Sequence, residues 1–193
     1  MCGIAGIIAR RSVNRQAVQT MINAIAHRGP DGEGIWSSDD GKVMLGHRRL
    51  AIIDPTPAGA QPMVDPSGQL VLTFNGEIYN YIELKEQMPG TAFATGSDCE
   101  LPLHLYLEQG QEFTKSLRGM YALAVHDLVA DRLVLARDPF GIKPLYYCEM
   151  ANGFAFASEP QALIAAGLVT AALNPRQRDA LLQLHDSFAE GNI

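Results

Sequence analysis

Cysteines, basic runs and long apolar stretches are all scarce in this 193-residue chain, and each shortage excludes something. The three cysteines, at 2, 99 and 148, are odd in number. They form neither a disulfide framework nor a Cys-x-x-Cys metal site. Such usage fits a reducing, cytoplasmic setting. The net charge is −6 and no basic run occurs, which argues against nucleic acid as a partner. No apolar run reaches the roughly 18 residues of a membrane span. Gly3–Ala9 is apolar but short and no basic region precedes it, so no signal peptide is expected. Internal repeats and low-complexity tracts are also missing. What remains is a chain with 47% hydrophobic and 19% charged residues, enough to bury a sizeable core in one domain.

The most unusual position is Cys2, directly after the initiator methionine. If Met1 is removed, Cys2 carries a thiol beside the chain's only α-amine. That amine has a pKa of about 7.7–8.0 and is partly unprotonated near neutral pH. One residue then supplies a nucleophile and its base, as N-terminal threonine does elsewhere. Taken alone, a cysteine here reads as an accident of start-site context, which the rest of the chain has to overturn.

Gly3–Ala9 reads as a buried strand that fixes Cys2 at its start. Residues 13–27 read as an amphipathic helix capped by Asn14, with Val18, Met21, Ile22 and Ile25 on one face. Three glycines and a proline between His27 and Gly34 forbid regular structure and predict a turn, either ordinary or shaped. Val43–Asp54 reads as a strand-pair region. In a strand Arg48 and Arg49 face opposite sides. They are either solvated rim residues or an outward and an inward one, the inward being a bidentate reader of a carboxylate. Residues 55–69, rich in Pro, Gly and Ala, read as a loop over the surface.

Leu70–Phe74 reads as a strand followed by Asn75-Gly76-Glu77. Asn-Gly commonly means a tight hairpin turn. The same pair also offers a side-chain amide and an approachable backbone amide at one point, the composition of an oxyanion hole. A short helix is expected over 81–88. Another runs from Glu100 to about Gly110, with Ser97 and Glu100 as a capping box. Asp98 is then surplus, free to meet an ammonium. Cys99 is the rival nucleophile, more consistent with a packed, inert residue.

Met120–Asp127, Arg132–Asp138, Leu145–Met150 and Gly153–Ser158 read as four strands of an antiparallel meander, with Cys148 in the core. Helices are expected at Glu159–Ala166 and Pro175–Phe188.

In their order and number these segments resemble the class II glutamine amidotransferase domain of the asparagine synthetase type. The matching residues are Cys2-Gly3-Ile4, Arg28-Gly29-Pro30-Asp31-Gly32, Arg49-Leu50, Phe74 to Asn80, Gly96-Ser97-Asp98 and Arg137 to Tyr147, from residue 2 to about 165. The resemblance implies an α+β fold, the four-layer αββα sandwich of N-terminal nucleophile hydrolases. The residues themselves indicate antiparallel strands and flanking helices, without the layer order.

The resemblance further implies glutamine hydrolysis to glutamate and ammonia through a Cys2 thioester, with Asn75 and Gly76 holding the oxyanion. Arg49 would bind the substrate carboxylate, Glu77 and Asp98 its ammonium, and Leu50 would line the same site. It implies no metal and no cofactor for this domain. ATP and Mg are expected only in a synthetase domain, whose Ser-Gly-Gly-x-Asp-Ser string does not occur here. The expected organisation is a glutaminase domain at 1–170 and a helical tail at 171–193 that begins a linker to that missing domain. The expected partners are L-glutamine and a synthetase domain in the same longer chain, with a homodimer left open. Nucleic acid and membrane are not expected. Two alternatives stand beside this: a catalytically silent domain with a binding or regulatory role, and an enzyme of the same fold that hydrolyses another amide.

Overall fold

Strand β1 (Gly3–Ala9) runs where its unbroken apolar sequence predicts, buried at the centre of a sheet. The structure is a computed structural model that describes residues 1–172 and 174–182. β1 pairs antiparallel with β3 (Val43–Arg49) on one side and with β9 (Gly153–Ala157) on the other. β2 (Gly32–Ser37) and β8 (Tyr146–Met150) complete this first sheet, in the order β2-β3-β1-β9-β8. The second sheet has the order β4-β5-β6-β7, from Met63–Val64, Leu70–Ile78, Gly119–Asp127 and Arg132–Arg137.

Period-two alternation sorts the side chains of each sheet into two cores. Ile4 and Leu45 of the first sheet meet Val71, Ala122 and Ala124 of the second, with Phe156 between them. The opposite face of the first sheet, with Ala5, Ile7 and Ala155, packs on helix α1 (Arg15–Ala24) and on α4 (Pro160–Ala165). The opposite face of the second sheet, with Leu72, Phe74 and Leu123, packs on α2 (Tyr81–Glu86) and α3 (Leu101–Gln109). The layers are therefore helix, sheet, sheet, helix, as expected for αββα. Asn14 caps α1 by accepting from the Gln16 N–H at 2.9 Å. The helix presses so closely on β3 that a Cβ at Gly46 would lie 2.6 Å from Ile22 Cγ2. No helix among the described residues is long and apolar enough to cross a membrane.

Several expectations need correction. The glycine-rich segment after Asp31 is a strand, β2, because β3 offers it a full ladder from Arg49 to Met44. The strand of Val43–Asp54 ends at Arg49, and Leu50–Asp54 is a loop. Asn75-Gly76 is no turn: β5 continues to Ile78, held along its length by β6. The capping box does not form. Glu100 reaches back to the Ala94 and Thr95 amides, each at 2.8 Å, and caps nothing at Ser97. The four late strands are two hairpins on different sheets rather than one meander, because the chain crosses between sheets over residues 138–145. A last helix, α5, covers Pro175–Leu182, and its expected continuation to Phe188 lies outside the described residues.

Candidate active site

Cys2 sits at the start of β1 and Asn75 near the end of β5, at the same end of two facing sheets. Between them lies a cavity of about 140 Å³. Cys2, Arg49, Leu50, Asn75, Gly76, Glu77 and Asp98, the seven residues singled out in the sequence, all line it.

The sulfur of Cys2 is held by the loop after β3. Its Sγ accepts from the Leu50 N–H at 3.3 Å and faces the Leu50 carbonyl at 3.6 Å. Burial pushes the thiol above its ordinary pKa, and Asp98 adds to the rise. The Leu50 N–H, the chain's amino end and Arg49 work against it without reversing it. A thiol so placed keeps its proton at neutral pH and needs a base to become a nucleophile. Cys99 lies close by but is buried, and desolvation pushes its thiol up to about 12. It is packed, as expected.

Two hydrogen-bond donors point into the cavity unclaimed. Asn75 is 1% exposed and its Nδ2 is buried without a hydrogen-bond partner among the described residues. Such an orphan is costly, by about 1–3 kcal/mol, and asks for an acceptor. The second donor follows from the ladder. Along β5 the amides of alternate residues point away from β6. Phe74 N–H goes to Gln61 Oε1 at 2.7 Å and Ile78 N–H to Asp98 Oδ2 at 2.8 Å. The Gly76 N–H lies between these two on the same edge and faces the cavity. Glycine is required at this position, since a Cβ would strike the Met120 carbonyl.

The cavity lining carries charge of both signs. Arg49 donates through Nη1 to the Thr56 carbonyl at 2.7 Å and through Nη2 to the Asp54 carbonyl, which fixes its guanidinium at one wall. Arg48 faces the other way and pairs with Glu33 at 2.6 Å, so the opposite-sides reading holds. Asp98, also in the lining, is 3% exposed, and burial pushes its carboxyl above the ordinary value against the pull of the Ile78 N–H. Glu77 raises it further and is itself exposed. A cavity lined by a cation and two carboxylates suits a zwitterion. Among the described residues no cluster of three His, Cys, Asp or Glu side chains is placed to hold a metal ion.

Two residues at the site had no role in the sequence reading. Arg28 donates through Nε to the Cys2 carbonyl at 3.0 Å and pairs with Glu159 at 2.8 Å, so it anchors the Cys2 backbone. Lys143 lines the cavity and is 4% exposed. The visible signal was a lysine enclosed by Ile142 and Pro144 in a short connection.

Comparison with known proteins finds relatives by sequence and by fold. The family described as "Glutamine amidotransferase domain" matches residues 1–191. Asparagine synthetase [glutamine-hydrolyzing] 2 of Bacillus subtilis is 42% identical over 170 residues, covering 86% of this chain and 22% of its own length. A putative asparagine synthetase [glutamine-hydrolyzing] 2 of Methanocaldococcus jannaschii is 38% identical over 182 residues, covering 86% of this chain and 35% of its own. The chain thus spans about a fifth to a third of the length of such relatives. Among solved structures, glutamine phosphoribosylpyrophosphate amidotransferase of B. subtilis superposes with a TM-score of 0.75 at 26% identity, over 86% of this chain and 44% of that one.

Proposed function

The chain belongs to the glutamine amidotransferase domain family, and from that premise we propose that it hydrolyses the side-chain amide of glutamine, with Cys2 as nucleophile. Removal of Met1 exposes the Cys2 α-amine. The amine takes the thiol proton, and the sulfur attacks the amide carbon. The oxyanion that forms is held by Asn75 Nδ2 and the Gly76 N–H. Collapse passes the proton to the leaving nitrogen, releasing ammonia and leaving a thioester. Water, deprotonated by the same amine, then frees glutamate and restores the thiol. Arg49 forks onto the substrate α-carboxylate. Asp98 and Glu77 receive its α-ammonium, and Leu50 holds the sulfur in line.

The orphaned Asn75 nitrogen beside the Cys2 sulfur carries this reading, because a buried donor without an acceptor fits a site built for charge that develops later. The ammonia would feed a synthetase domain in the same longer protein, with asparagine the product, since the relatives named for that reaction are roughly two and a half to four times as long as this chain. ATP and Mg would belong to that domain, and this one needs only its own residues and water.

Glutamate release from glutamine by chain lacking Met1, checked by intact mass, is the test. Cys2→Ala should abolish it, and unchanged release in that variant would remove Cys2 as nucleophile. Retention of Met1 in natively expressed protein would select the binding or regulatory role instead.

A further inference from the structure

Lys143 is a buried cation that the hydrolysis steps above do not use. It ends the turn Pro139–Lys143, which connects the two sheets, and its side chain reaches into the cavity wall. Among the described residues no carboxylate lies within ion-pairing distance of it. The nearest on its own element, Asp138, is consumed by four backbone amides, the Lys143 N–H among them at 2.9 Å. The contact that Nζ does make is with Met1 Sδ, at 3.1 Å. Met1 is the residue whose removal frees the Cys2 amine. That cleavage therefore takes away the group that meets the Lys143 ammonium and leaves the ammonium in the wall of the cavity that Cys2 also lines.

We propose that Lys143 is the positioning residue that keeps the Cys2 amino group in its basic form, by denying it a second positive charge in a buried space. The proposal rests on the glutamine hydrolysis reading and deepens it.

A like charge in the same small cavity disfavours the charged form of each group. The weaker base yields its proton. An α-amine has a pKa near 7.7–8.0 and a lysine one near 10.4, so the terminal amine gives way first. Burial and Arg28 draw Lys143 below the ordinary lysine value, but it starts about two to three units higher.

The surrounding charges act in both directions. Arg28, bonded to the Cys2 carbonyl, adds a second fixed cation, although Glu159 half-neutralises it. Arg49 adds a third in the lining. Glu77 and Asp98 favour a protonated amine, as does a Cys2 thiolate. Substrate ammonium takes up both carboxylates when glutamine binds, and Lys143 and Arg28 are then left facing the amine.

The test compares wild type, Lys143→Met and Lys143→Arg, each as full chain freed of Met1 and verified by mass. In wild type, the ¹⁵N chemical shift of the Cys2 amine, followed by NMR against pH, should show a midpoint at least about one unit below 7.7–8.0. A midpoint at or above that range overturns the proposal whether or not the variants fold. In the pH profile of kcat/KM for glutamine, Lys143→Met should move the acid limb up by about one unit, a tenfold loss near pH 6.5 that recovers by pH 9. Lys143→Arg should keep the wild-type limb. An unmoved limb in Lys143→Met, or an equal loss at every pH, also overturns it. Absence of glutamate release from processed wild type overturns the hydrolysis reading instead, while the amine midpoint still decides the role of Lys143.

Discussion

Asn75 buries an amide nitrogen that no group among the described residues accepts. A sequence meets local rules almost everywhere and breaks them where a site demands it. Asn75→Ala should therefore lower kcat for glutamine by about 10²–10³. Its thermal stability should be kept, because the deleted nitrogen bonds to no other residue. Steady-state kinetics and a melting curve on the same preparation separate the two effects. A stability loss with unchanged kcat would assign Asn75 to the core. At this scale the sequence was informative where a residue type already implied chemistry. Cys2 beside an amino end, an Asn-Gly pair and a surplus Asp98 each pointed to the cavity before any coordinates. Lys143 did not, because its burial depends on a turn whose shape is set by another residue.

That turn shows how one carboxylate builds an element. Asp138, at the end of β7, accepts from Tyr121 N–H at 3.3 Å, Phe140 at 3.1 Å, and Ile142 and Lys143 at 2.9 Å each. Burial pushes its carboxyl up, but the four amides outweigh burial and leave it below the ordinary value. Asp138→Ala strands those donors, so we expect a loss of about 1–3 kcal/mol. The same change should weaken glutamine hydrolysis through misplaced Lys143. Urea unfolding of variant and parent measures the first, and kcat/KM the second. Element legibility followed periodicity. β1 matched its predicted range at both ends, since a seven-residue apolar run has few other fates. The Asn-Gly turn failed because β6 pairs through it and tertiary contacts outrank the local preference. β2 was hidden by glycines whose small size suits the crowded approach of Gln61 to Gly34.

The layer order lay beyond any local pattern, because it depends on which distant strands pair. β8 and β9 follow β7 in sequence yet join the other sheet, where β9 lies against β1. The two sheets are joined by apolar packing and by two polar bridges. Thr73 Oγ1 donates to the Gly46 carbonyl at 3.3 Å, and His47 Nε2 to the Phe74 carbonyl at 3.1 Å. Because a carbonyl only accepts, Nε2 carries the proton and the ring is neutral. Its Nδ1 is buried with no hydrogen-bond partner among the described residues, so a second proton would have nowhere favourable to sit. Burial, helped by Arg49 and resisted by the Phe74 carbonyl, lowers the His47 pKa to about 4.

The unfolded chain keeps an ordinary histidine value near 6.5 and so binds a proton that the folded one refuses between those limits. Stability contributed by neutral His47 is full above pH 6.5 and is lost as pH falls toward 4. The loss reaches about 2–3 kcal/mol by pH 4.5. His126, also lowered by burial, adds in the same direction, and Asp98, whose carboxyl is raised, opposes it. A difference between two proteins removes both contributions. His47→Gln can still donate to the Phe74 carbonyl but cannot titrate. Urea midpoints at pH 7 and pH 4.5 should therefore fall together less in the variant than in the parent. Equal falls would mean that the junction between the sheets is indifferent to the charge on His47.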